Sequence, residues 1–159
     1  MKLIGFDMDG TITEEWFTKY NWTSEDQKQC KFSDTKVEQL TDILKQIKPF
    51  LIPLNSVHII TARPFQLFDI TYSWLVKNEI PFLDIHTPFC TFEEDLELIS
   101  NAKADIINYL GLDYYFEDDL KIRERLITLS SDTKILEPEE AIRLGFAKRN
   151  FYDQRRVYS

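Results

Sequence analysis

The hydrophobic pattern of the 159-residue chain predicts an α/β fold, and three observations carry the prediction. Short apolar runs bounded by polar turns alternate along the chain with amphipathic stretches of helical spacing. The run Ser56-Val-His-Ile-Ile is apolar and β-branched, as in strands buried on both faces of a parallel sheet. Acidic, hydroxyl and basic residues follow three of the runs directly, where the chain would leave the sheet.

Taken in order, residues 3–6 read as the first strand. Residues 14–32 mix polar and aromatic side chains and receive no assignment. A helix is predicted over 35–48, opened by a Thr35-x-x-Glu38 capping-box pattern, carrying Val37, Leu40, Ile43, Leu44 and Ile47 at helical spacing, and ended by Pro49. The second strand is 56–60. The stretch 64–78 predicts a helix with proline in its first turn and Phe68, Tyr72, Leu75 and Val76 on one side. Residues 82–85 are the third strand, 87–91 a loop, and the acidic stretch 92–99 is left open. A helix over 102–110 is stopped by Gly111 at the position where a left-handed cap is usual. Residues 114–116 make a fourth strand, 120–129 a helix and 133–136 a fifth strand. Such alternation argues for a Rossmann-like parallel sheet with helices on both faces.

Length and composition fit a single domain over 1–159, with a core large enough to need no staples. Cys30 and Cys90 form no metal-ligand spacing and read as reduced thiols of a cytoplasmic protein, with their pairing left open. No secretory signal or membrane-spanning run of about 20 residues is present. A net charge of -8 disfavours nonspecific nucleic-acid binding. Residues 146–159 run against that balance, because Lys148, Arg149, Arg155 and Arg156 interleave there with Phe146, Phe151, Tyr152 and Tyr158. Two readings of this tail stand: a solvated terminus, or a basic-aromatic grip on a base and its phosphate.

The first strand leads into Phe6-Asp-Met-Asp-Gly-Thr11. In extended backbone, residues i and i+2 share a side, so Asp7 and Asp9 can converge on one volume, with Gly10 permitting a sharp exit. Two like charges so close need a cation, a shared proton or both. Standing alone, the hexapeptide would read equally well as a solvated turn. In parallel sheets, however, ligands bind beyond the carboxyl ends of the strands. Asp7 and Asp9 follow strand one, Thr61 and Arg63 follow strand two, and Glu117, Asp118 and Asp119 follow strand four. Carboxylates without neighbouring His or Cys make a hard-oxygen site suited to Mg2+ rather than zinc. A hydroxyl from Thr61 and an ammonium from Lys103, at the start of its helix, supply what a phosphoryl group requires, so phosphoryl transfer is the chemistry suggested.

FDMDGT, HIITARP, Lys103 and YYFEDD, in that order over residues 3 to about 136, resemble the four motifs of the haloacid dehalogenase superfamily of aspartate-nucleophile phosphatases. Within it, ITARPFQLFDITYSWLVKNEIPF and AKADIINYLGLDYYFEDD are similar to small bacterial and phage proteins grouped with the 5'(3')-deoxyribonucleotidases. The resemblance implies that Asp7 attacks phosphorus to form an aspartyl-phosphate, while Asp9 protonates the leaving oxygen and later deprotonates water. It implies that Thr61 and Lys103 hold the phosphoryl oxygens, with Gly10 and Ala62 beside them. Mg2+ would be bound by Asp7, Asp118 and the Asp9 backbone carbonyl, with Glu117 and Asp119 as supporting neighbours. It further implies a small cap inserted after strand one, at about 14–50, smaller than full nucleotidase caps.

Several residues carry a plainer reading beside the functional one. Thr61 could cap the following helix, and Lys103 could be a solvated lysine. Arg63 is expected to brace its turn or pair with an acid, a substrate contact being the lesser reading. His58 reads as a satisfied core histidine, and His86 as a weak substrate-side candidate. The cluster of Trp16, Phe17, Tyr20 and Trp22 reads as packing more readily than as a base-stacking platform. The expected function is Mg2+-dependent hydrolysis of a phosphomonoester on a nucleoside monophosphate or other small phosphorylated metabolite. The alternatives are a 3'-phosphate polynucleotide end phosphatase and a non-catalytic domain that binds a phosphorylated ligand. No membrane partner is expected, and an oligomer remains open.

Overall fold

A computed structural model of the chain describes residues 1–150; Phe151, Tyr152, Arg155, Arg156 and Tyr158 of the expected basic-aromatic tail lie outside the described residues. Five parallel strands form the central sheet: β1 (Ile4–Phe6), β3 (Val57–Ile60), β4 (Phe82–His86), β5 (Tyr114–Phe116) and β6 (Lys134–Leu136), in the order β4-β3-β1-β5-β6. β1 pairs in parallel with β3 on one side and β5 on the other. The rim segments that follow β1, β3 and β5 are therefore adjacent in space although far apart in the chain.

Strand alternation sorts the core into two layers. Phe6, Ile59 and Phe116 face a layer with Leu67, Trp74 and Leu75 from the segment that includes α3 (Phe68–Lys77), joined by Leu40 and Leu44 of α2 (Asp34–Gln46) and Ala141 of α6 (Pro138–Arg143). Ile60, Tyr115 and Ile135 face the other way, against Ile99, Ala104 and Ile107 of α4 (Leu96–Leu110) and Ile122 and Leu126 of α5 (Leu120–Leu129). Helices thus cover both faces of the sheet. Each large side chain buried in these layers contributes about 1.5–3 kcal/mol of transfer free energy.

The largest departures from the sequence reading fall where turn chemistry or tertiary context outweighs pattern. Ser33, not Thr35, opens α2, accepting from the Lys36 N–H; the expected Thr35-x-x-Glu38 box starts inside the helix, past its true cap. The unassigned 14–32 contains α1 (Ser24–Gln29), started by a reciprocal capping box between Thr23 and Asp26. The helix expected at 64–78 begins with a tighter turn over Phe65–Leu67 before α3. α4 starts at Leu96, because Asp95 accepts from the Glu97 and Leu98 N–H groups, so Lys103 sits in mid-helix rather than at its start. Gly111 does adopt the expected left-handed cap, at φ 63.

Two short strands lie outside the pattern that sequence reading detected. β2 (Leu51–Pro53) pairs antiparallel with β7 (Ala147–Arg149). Part of the expected tail is therefore structured: Phe146 packs on Tyr114 and Phe116, and Arg149 pairs with Glu139 at 2.9 Å. Residues 14–50 leave and re-enter the fold at one neck, where Thr13 bridges Pro49 and the Glu14 N–H donates to the Lys48 carbonyl at 2.8 Å. Cys30 is buried, Cys90 exposed, and both are free thiols. Among the described residues no helix is long and apolar enough to cross a membrane.

Candidate active site

The carboxyl ends of β1, β3 and β5 open into a cavity of about 280 Å³ that Asp7, Asp9, Thr61, Lys103 and Asp118 help to line. β1 fixes Asp7 through its N–H, which donates to the Phe116 carbonyl at 2.9 Å. The backbone then turns at once: Asp9 is extended and Gly10 takes φ 82. A Cβ on Gly10 would stand 2.2 Å from Asp118 Oδ2, so both the left-handed conformation and the close approach of Asp118 require glycine here.

Lys103 is a buried cation of the site, only 1% exposed. Its Nζ donates to Asp7 Oδ1 and to Glu117 Oε1, each at 2.8 Å. Glu117 also accepts from the Tyr115 hydroxyl and, on its other oxygen, from the Asp119 N–H, both at 3.3 Å. Tyr115 and Glu117 are two apart at the end of β5, which turns both toward α4 and its lysine. Glu117 is thus an anchor for Lys103 with both oxygens engaged. Asp119, expected as a neighbour of the metal, uses its carboxylate to cap α5 through the Ile122 N–H at 3.0 Å.

Asp118 accepts a hydrogen bond from the Thr11 hydroxyl. Thr11 Oγ1 lies 3.2 Å from Asp7 Oδ2 and 3.4 Å from Asp118 Oδ1, bridging the two acids. Burial, and then the neighbouring Asp7 charge, push Asp118 up to about 10 and Glu117 to about 7. Burial would raise Asp7 as well, but the Lys103 ammonium together with hydrogen bonds involving Asp118, Lys103 and Glu117 holds Asp7 below the ordinary value. Burial disfavours the charge on Lys103 too, yet Asp7 and Glu117 keep it well above the usual lysine range. One negative charge too many is therefore gathered at Asp7 and Asp118, and it calls for a proton or a cation.

That surplus has a measurable consequence. Asp118 and Glu117 bind protons in the folded chain at pH values where the unfolded chain has released them, so the metal-free stability these two groups contribute is fully present below about pH 4 and is lost as pH rises through about 7 and toward about 10. Melting in chelator between pH 6 and pH 9 is expected to show a falling Tm, and Asp118→Asn is expected to flatten that fall and to stabilise the metal-free fold at pH 9. An equal slope in both proteins would refute the assignment.

Arg63 takes the place the sequence reading favoured, paired with an acid. Its Nε and Nη2 donate to Asp9 Oδ2 and Oδ1 at 2.9 and 2.6 Å, and Nη1 donates to Thr71 Oγ1 at 2.9 Å. Trp16 Nε1 donates to Asp9 Oδ1 as well, at 2.9 Å. Thr61 is 1% exposed, and its Oγ1 accepts from the Arg63 N–H at 3.1 Å while the residue lines the cavity with Ala62. The 14–50 insertion supplies an apolar wall through Trp16, Phe17, Leu40 and Leu44, with Phe92 added from the segment before α4. Trp16 and Phe17 stack at 4.2 Å between ring centroids.

Sequence reasoning missed Thr11, Tyr115 and Thr71, and it treated Trp16 as packing. Thr11 was legible as the hydroxyl ending the Asp-x-Asp-Gly-Thr run, and Tyr115 as the residue two before Glu117 on the same strand side. Thr71 and Phe92 carried no local signal. His86 does not line the cavity. His58 is satisfied as expected, bonding Asp84 at 2.8 Å.

No protein-family model matches the chain. A protein of Oceanobacillus iheyensis described as a "putative nucleotidase" is 34% identical over 82 residues, which make up 52% of this chain and 39% of that protein. Among solved structures, a chain from the structure of the Pnkp1/Rnl/Hen1 RNA repair complex superposes with a TM-score of 0.54 at 12% identity, covering 86% of this chain and 42% of the other. That second likeness is one of fold. The chain spans about two fifths of the length of each.

Proposed function

We propose that the protein is a phosphomonoesterase of the haloacid dehalogenase type, acting on a nucleoside monophosphate or similarly small phosphate ester through an aspartyl-phosphate on Asp7. The observation that carries this reading is the convergence of Asp7, Asp118, Thr61 and Lys103 on one cavity at the carboxyl rim, with Asp7 held as a carboxylate by Lys103. The partial identity to a nucleotidase supports the substrate class.

Ligand oxygens of Asp7, Glu117 and Asp118 lie within 4.8 Å of one another, a donor set fit for a hard divalent ion. Because both Glu117 oxygens are engaged, Asp7 and Asp118 would hold the ion, joined by the Asp9 carbonyl. When bound, Mg2+ supplies positive charge against the attacking carboxylate and the phosphoryl oxygens. The chain's own residues do the rest. Lys103 and Thr61 hold the phosphoryl group, and an Asp7 oxygen forms the bond to phosphorus as the ester oxygen leaves with its electron pair and takes a proton from Asp9. Water then adds to phosphorus, gives a proton to Asp9, and the bond to Asp7 breaks.

Both Asp9 oxygens are engaged by Arg63 and Trp16, so proton transfer requires Asp9 to turn one oxygen inward. The incoming phosphate offers Arg63 an anionic replacement, which gives this arginine its substrate-linked role. The 14–50 insertion acts as the small cap, its Trp16–Phe17 face offering a stacking surface for a base.

The decisive experiment is phosphate release from a panel of esters, including mononucleotides and a 3'-phosphorylated oligonucleotide. Mononucleotides are expected to be hydrolysed best, with activity abolished by EDTA and restored by Mg2+. Preference for the oligonucleotide with a steep salt dependence would favour end processing instead, and activity indifferent to chelation would remove the metal.

A further inference from the structure

A second cluster of ligating side chains sits on the sheet edge, outside the cavity. His58 Nδ1 and His86 Nε2 lie 2.8 and 3.0 Å from the same atom, Asp84 Oδ1. The side chains are 12%, 27% and 40% exposed for His58, His86 and Asp84, so the cluster is sheltered on the histidine side and open on the aspartate side.

A β-bulge assembles it. Val57 pairs with Phe82 but His58 pairs with Asp84, leaving Leu83 as the extra residue of β4. Without that insertion Asp84 would oppose Ile59 and face the α3 layer. With it, His58, Asp84 and His86 share the face of Ile60, which His86 opposes directly. Hydrogen bonding accounts for only half of the result. His58 bonds Asp84, whereas the buried Nε2 of His86, equally near, makes no hydrogen bond. A buried ring nitrogen without a hydrogen bond calls for another partner, and a metal ion is one that the neighbouring carboxylate and imidazole could share with it. In a tetrahedral zinc site with bonds of about 2.0–2.1 Å, ligand atoms are about 3.3 Å apart, so the two spacings to Asp84 need to open by only a few tenths of an ångström, and the two imidazole nitrogens lie within 4.8 Å of each other.

We propose that His58 Nδ1, His86 Nε2 and Asp84 Oδ1 form a binding site for a divalent transition-metal ion, Zn2+ being the best match to two imidazoles and one carboxylate. The fourth position faces solvent beside Asp84. The ion would tie the edge strand β4 to β3 immediately behind Thr61, whose N–H donates to the His86 carbonyl at 3.1 Å.

The test uses the full chain with excess Mg2+, which occupies the hard-oxygen carboxylates. Titration with Co2+ is expected to give the visible absorption of a four- or five-coordinate ion, saturating at one equivalent and displaced by Zn2+. His86→Asn and Asp84→Asn are each expected to weaken it by at least about 100-fold, the upper end of what loss of even an outer partner costs, while Asp118→Asn leaves it unchanged. In the unaltered protein, one equivalent of Zn2+ is expected to shift the imidazole NMR signals of both His58 and His86, a readout that depends on no variant's folding. The proposal is overturned if the unaltered protein gives no such absorption and no imidazole shift, if His86→Asn binds Co2+ as well as the parent, or if Asp118→Asn alone abolishes binding.

Discussion

Asp7→Asn is expected to lower turnover of a simple aryl phosphate by at least about 10⁴-fold, the scale on which loss of a catalytic nucleophile or its activating partner acts. Asparagine has the same shape, and its amide oxygen still accepts a hydrogen bond from Lys103, which now reaches Asp7 Oδ1 at 2.8 Å. What it loses is the negative charge on which the proposed attack on phosphorus depends. The melting temperature should stay close to that of the parent, because Lys103 keeps Glu117 as its ionic partner at 2.8 Å. Steady-state rates with a melting curve on the same preparation separate the two effects, and parental turnover would dismiss Asp7 as the attacking group.

Lys103→Met is expected to be the most damaging single change to stability, at about 3–5 kcal/mol, the cost of removing one partner from a buried ion pair. Against a typical total of about 5–15 kcal/mol this is a large share of what holds a domain together. Methionine fits the space and preserves the helix, so the loss comes from stranding Asp7 and Glu117, which are 6% and 1% exposed, without their cation. Urea denaturation at neutral pH measures it. Adding Glu117→Gln to Lys103→Met is expected to recover part of the loss by removing one of the two stranded charges. A single-variant effect below about 1 kcal/mol would show that the lysine is not the keystone of this network.

The site and the fold differ in how far local pattern reveals them. β5 and α5 have the bounds their hydrophobic patterns predict, because each is a run whose period reflects one buried face. α1 was obscured because none of its residues is buried, so it has no apolar stripe to read. β2 and β7 are three-residue strands stabilised by pairing with each other, Leu51 opposite Arg149, a separation in sequence that no window contains. The start of α4 was misplaced because its cap, Asp95, lies in an acidic stretch that pattern alone does not resolve.

By itself the sequence determined the succession of the five parallel strands and of helices α2 to α5, and the acids, hydroxyls and bases at the strand ends, because these depend on neighbours one to four residues away. Tertiary structure alone decided the partners. Placing β1 between β3 and β5 brings Lys103 to Asp7 across 96 residues, gives Arg63 to Asp9 across 54, and sets Thr11 against Asp118 across 107. It also decided, through one extra residue at Leu83, that two histidines and an aspartate share a face. A charge pattern names which groups are available, but which ones neutralise each other depends on strand order, helix rotation and burial, and these are set by packing of the whole chain.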